Sequence, residues 1–151
     1  MANKLQNMLD RSFKDPIMAI LLKNSNLTKV QYESLLIDYF TDNMTDNILT
    51  YENKAIYRSK KVSRGSFSRT LSQARRNIIS SIYTILLLSY VGIYDTSPFE
   101  EYKNLAEKLS EYTFLTQDQD SLKSQARIRR LESELTEGIR SLAEPRQLKR
   151  V

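Results

Sequence analysis

Eight basic residues and no acidic one stand between positions 54 and 94: Lys54, Arg58, Lys60, Lys61, Arg64, Arg69, Arg75 and Arg76. A solvated surface mixes both signs, so a long run of one sign points to a polyanionic partner. Interleaved with these cations are small hydroxyl and amide side chains, Ser66, Ser68, Ser72 and Gln73, that can hydrogen-bond phosphate oxygens or base edges. The rest of the chain offers little other chemistry. Without Cys or His, zinc and iron–sulfur sites, disulfides, thiol nucleophiles and imidazole acid–base work are unavailable. The three glycines, Gly65, Gly92 and Gly138, are isolated and form no phosphate-cradling loop. Glu100 with Glu101, and Asp118 with Asp120, are the acid pairs that could hold Mg²⁺, but each falls at an expected helix start, where negative charge offsets the helix dipole. A non-enzyme without metal or cofactor is expected.

The surrounding charge is blocked as well. Residues 1–53 carry five bases and seven acids, 95–122 two bases and seven acids, and 123–151 eight bases and four acids, with a net charge of +5 overall. About 40% of the residues are hydrophobic, enough for a packed core. Residues 1–10 lack the apolar stretch of a signal peptide, so a cytoplasmic protein is expected.

The elements that must position the basic run are helical. Asp15-Pro16 caps a short helix to about Lys23, and Thr28 with Gln31 forms a capping box for a second, ending near Asp42. Thr45 is expected to cap a third, from Asp46 to about Lys60. Ser63 then caps a helix from Arg64 to about Tyr90, with Phe67, Leu71 and Ala74 facing inward. From Ile78 onward apolar residues appear all round, which predicts burial on every side and makes this helix the centre of the fold. Tyr83, Tyr90 and Tyr102 are expected in the core; Tyr51 and Tyr57, next to Lys54 and Arg58, could touch a phosphate backbone. Residues 78–94 are uncharged but include Ser80, Ser81, Thr84 and Ser89, so a buried helix is expected rather than a membrane span.

Ser97-Pro98-Phe99-Glu100 opens a helix to about Tyr112, with Phe99, Tyr102, Ala106 and Leu109 as its stripe. After a polar break at 116–120, a last helix runs from about Ser121 to Glu144. Its seam of Ile128, Leu131, Leu135 and Leu142 has coiled-coil spacing and is expected to dimerise the chain, although it could instead fold back on its own domain. The basic residues Arg127, Arg129, Arg130 and Arg140, with the tail Arg146, Lys149 and Arg150, could add phosphate contacts. The expected organisation is an all-α helical domain over 1–115, a dimerisation arm over 116–144 and a basic tail over 145–151.

Residues 62–78 resemble a helix-turn-helix recognition helix: a serine cap, hydroxyl and basic residues on the first turns, and apolar residues that seat the helix. Upstream, Tyr57 and Lys60 stand where that motif places small and aliphatic residues. The DNA-facing set is then Lys60, Lys61, Arg64, Ser66, Ser68, Arg69, Ser72, Gln73, Arg75 and Arg76. Arg64 and Arg69 would reach guanine edges or phosphates, Gln73 adenine, and Arg75 and Arg76 phosphates. On a larger scale, residues 51–94, with Arg64-Gly65-Ser66-Phe67, Arg69-Thr70-Leu71, Gln73-Ala74-Arg75 and 81–88, resemble the small Nitrosopumilus output-domain family of ammonia-oxidising archaea. That resemblance implies a cytoplasmic archaeal output or regulatory module acting on DNA. Double-stranded DNA, as a transcriptional regulator or chromatin-associated homodimer, is thus the expected partner. The alternative is a signalling or scaffold module working through the 78–93 helix, with residues 54–76 docking an acidic protein; a third is peripheral membrane attachment by the basic segment.

Overall fold

A computed structural model of the chain describes residues 2–44, 49–93, 96–117 and 122–143. They form seven α-helices and, among the described residues, no strand: α1 (Ala2–Lys14), α2 (Pro16–Lys23), α3 (Lys29–Met44), α4 (Tyr51–Ala55), α5 (Arg64–Tyr90), α6 (Thr96–Gln117) and α7 (Leu122–Leu142). The expected all-α fold is what is observed. The chain divides into two compact units, 1–84 and 85–151.

In the first unit, local caps set the helix ends. Asp15 Oδ1 accepts the amides of Ile17 (2.8 Å) and Met18 (3.3 Å), with Pro16 opening α2. Thr28 and Gln31 cap α3 reciprocally: the Thr28 amide donates to Gln31 Oε1 at 3.0 Å and the Gln31 amide to Thr28 Oγ1 at 3.2 Å. The third helix departs from expectation. Thr50, not Thr45, caps α4, which ends at Ala55 rather than Lys60; Thr45 and Asp46 lie outside the described residues. α1 goes beyond what caps announce: Leu5 and Leu9, one turn apart, are fully buried against Ile37, Ala55, Phe67 and Leu71. Beside them Phe13 meets the Tyr32 ring edge-on at 5.7 Å, and the Ser12 and Tyr32 hydroxyls share a 2.8 Å hydrogen bond.

α5 spans 27 residues between two distinct caps. Ser63 Oγ accepts the Ser66 amide at 3.2 Å at its start. At its end Gly92, with φ +74°, takes the left-handed conformation. The Ile93 amide reaches back to the Leu88 carbonyl (3.0 Å) and the Gly92 amide to that of Ser89 (3.2 Å), a Schellman closure. Phe67, Leu71 and Ala74 are buried as expected. The expected burial beyond Ile78 is not observed: Ile78, Ile79, Ile82, Tyr83, Ile85, Leu86, Leu87 and Tyr90 are all exposed. Helical periodicity shows which side chains share a face but not whether another element covers it. Tyr102 is exposed for the same reason, whereas Tyr51 and Tyr57 pack against the core.

In the second unit, α6 and α7 form an antiparallel hairpin. Glu111 meets Arg127, Lys108 meets Glu134, and Leu105 lies 3.4 Å from where a Cβ on Gly138 would stand, so the numbers fall along one helix as they rise along the other. Leu131, Leu135, Ile139 and Tyr112 are its buried side chains. The side chains of Ser97, Pro98 and Phe99, the pair Asp118 and Asp120, Glu144 and the basic tail lie outside the described residues.

Candidate nucleic-acid interface

The seat of α5 is apolar, with the Tyr51 ring 6.0 Å from that of Phe67 and Leu71 and Ala74 beneath. Because Phe67, Leu71 and Ala74 turn inward, helical geometry turns Arg69, Ser72, Gln73 and Arg76 the opposite way, and all four are exposed. Lys60, Lys61 and Arg64 are exposed ahead of them, while Ser66 and Ser68 are half-buried on the flanks.

The other three cations of the basic run have partners inside the unit. Lys54 is buried, its Nζ 2.8 Å from Asp38 Oδ1 and 2.5 Å from Asp42 Oδ1. Burial opposes its charge, but the hydrogen bonds and attraction of the two carboxylates outweigh it, and its pKa lies above the usual 10.5. Arg58, equally enclosed, places Nε 2.7 Å from Glu33 Oε2 and donates to Ser34 Oγ at 2.9 Å. Glu33 also accepts the Ser59 amide at 2.7 Å. Arg75, counted among the DNA-facing residues, donates to Asp38 Oδ2 at 2.7 Å with half of its side chain still exposed. Its pKa too is raised: desolvation is overcome by the Tyr51 hydroxyl and by Asp38. These pairs bind the backbone of 54–59 along α3, Lys54 beside Asp38 and Asp42 and Arg58 beside Glu33. Together they fix the lead into α5.

Sequence reasoning missed these three acids as partners of the run. A signal was present: Asp38 and Asp42, four apart on one helix, repel each other unless a cation sits between them. The turn also differs from the motif that residues 62–78 resemble. Residues 56–63 separate α4 from α5, against three or four in a helix-turn-helix, and α4 has only five residues.

Part of the α7 seam is buried within the hairpin. Leu131 and Leu135 are buried in the hairpin, with Ile128 and Leu142 half-buried. Of its cations, Arg127 pairs with Glu111 at 2.5 Å and Arg130 with Glu134 at 3.2 Å, while Arg129 and Arg140 are exposed. Among the described residues no helix is long and apolar enough to cross a membrane. No family model, curated protein or solved structure matches the chain.

Proposed function

We infer that the chain is a DNA-binding protein without catalytic activity, a cytoplasmic transcriptional regulator or chromatin-associated factor that lays the first half of α5 against duplex DNA. The observation that carries this reading is the exposed face of Arg69, Ser72, Gln73 and Arg76, opposite a seat of three buried apolar residues. Five cations of the acid-free run, Lys60, Lys61, Arg64, Arg69 and Arg76, pair with no described carboxylate and remain for phosphates. The likeness of residues 51–94 to the archaeal output family supports a regulatory role and belongs to the same proposal.

Titration of a fluorescent random-sequence duplex at several salt concentrations tests it. Arg76→Ala is expected to weaken all sequences alike and flatten the plot of log affinity against log salt by about one unit. Arg69→Ala is expected to cost about 1–3 kcal/mol if the side chain reads a base. Unchanged binding in both variants, with helicity retained, removes this face from DNA.

A further inference from the structure

Of the four arginines of α5, Arg64, Arg69 and Arg76 pair with no described carboxylate, whereas Arg75 gives Nη2 to Asp38 Oδ2 at 2.7 Å and keeps 53% of its side chain exposed. The anchor is itself fixed. Asp38 Oδ1 takes the buried Lys54 Nζ at 2.8 Å, so each oxygen of that carboxylate holds a cation of its own. The Tyr51 hydroxyl is a second acceptor for Arg75. The Tyr51 ring is held in turn, 6.0 Å from the Phe67 ring and with Lys54 Nζ 5.8 Å from its centroid. All of these residues belong to the first compact unit.

This anchoring decides what the guanidinium can bind. Asp38 and Tyr51 leave most of its five N–H donors open. Fixing their plane in the free protein removes the ordering cost that an unanchored arginine meets on binding. The charge, however, is already answered: Lys54 and Arg75 are matched one for one by Asp38 and Asp42. A phosphate brought to Arg75 would also meet the Asp38 carboxylate behind it, so the attraction open to Arg69 and Arg76 is largely cancelled here. The hydrogen bonds remain. They suit two neutral acceptors lying in one plane, and guanine presents such a pair, O6 and N7, on its major-groove edge.

We propose that Arg75 reads a guanine in duplex DNA, and that Asp38 and Tyr51 are positioning residues that hold its guanidinium plane for the contact. The inference rests on the reading of α5 as a DNA-facing helix and adds a sequence preference to it. The unpaired cations supply affinity that depends on salt; Arg75 supplies discrimination that does not.

Two readouts on the full chain test it. In the free protein, the steady-state heteronuclear NOE of the Arg75 Nε–H should exceed those of Arg69 and Arg76, and Tyr51→Phe should lower it with helicity unchanged. Equal values for the three arginines, or no change in Tyr51→Phe, overturn the positioning. In selection from a random-sequence duplex pool, the wild type should enrich sites sharing a guanine whose replacement by adenine weakens binding about 5- to 150-fold. Arg75→Lys keeps the charge but not the planar fork, so it should lose that preference while random-duplex affinity and its salt slope stay as they were. Tyr51→Phe should lose part of the preference and leave the slope alone. An unchanged guanine preference in Arg75→Lys, or duplex binding by the wild type with no such preference, overturns this proposal and leaves the DNA-facing helix standing. No duplex binding by the wild type even at low salt overturns the DNA reading itself, and the guanine contact with it.

Discussion

Arg58 and Glu33 are each almost wholly enclosed, and what each gains depends on the other. Taking two charges from water costs several kcal/mol per ion, repaid only by close pairing and full hydrogen bonding. Glu33 meets that requirement with two donors, Arg58 Nε and the Ser59 amide, and Arg58 adds Ser34. Arg58→Met should thus cost about 3–5 kcal/mol in urea unfolding, and combining it with Glu33→Leu should recover much of that loss, because the stranded carboxylate is gone. Lys54 adds a pH signature. Its folded pKa lies above 10.5, so its contribution is complete below that value and fades as pH rises through the raised folded value. The stability gap between wild type and Lys54→Met should be constant from pH 7 to about 10 and narrow above it. A gap that instead widens as pH rises from 7 to about 10 would show that the lysine is not held as a cation. None of these pairings was legible in the sequence as a partnership, since they join residues on separate elements and obey no periodicity.

Caps and close approaches decide the helices, and here the sequence reads well. Ser63 announces the start of α5, Asp15-Pro16 that of α2, and the Thr28 and Gln31 box that of α3, because a cap is a contact between residues two or three apart. α1 carries Leu5, Met8, Leu9 and Phe13 at helical spacing, a pattern that signal-peptide features do not bring out. The glycine inside α7 and the one that ends α5 separate in consequence. At Gly138 a Cβ would meet only the mobile end of Leu105 at 3.4 Å, so Gly138→Ala should stabilise the hairpin by about 0.5–1 kcal/mol through helix propensity. At Gly92, where φ is +74°, alanine should destabilise by about 1 kcal/mol. Thermal unfolding of the two variants should move in opposite directions, and a shift of the same sign in both would refute this account of the α5 and α7 backbones.

On the scale of the whole chain, charge arithmetic overstates what faces outward. Of eight cations in the acid-free run, Lys54, Arg58 and Arg75 answer carboxylates of α3 and five do not. The run's share of a DNA salt dependence should then be a slope no steeper than about −4.5, whereas eight free charges would give about −7. Substituting all five should remove that share while Lys54→Met leaves it in place. The all-α class, the extent of α5 and its buried side were legible; the exposure of its apolar half was not, since periodicity cannot say what covers a face. Nor could the spacing of Leu131 and Leu135 show that α6 of the same chain would fill their seam. The core of the first unit draws on Leu5, Leu9, Ile37, Ala55, Phe67 and Leu71, residues from nearly one end of that unit to the other. A ribosome delivers them in that order, so α1 and α3 emerge with their apolar sides open and Glu33, Asp38 and Asp42 unanswered. The core of this unit is complete only when the first turns of α5, which bring Phe67 and Leu71, have left the exit tunnel, so the segment proposed to touch DNA is also the one that completes the fold during synthesis.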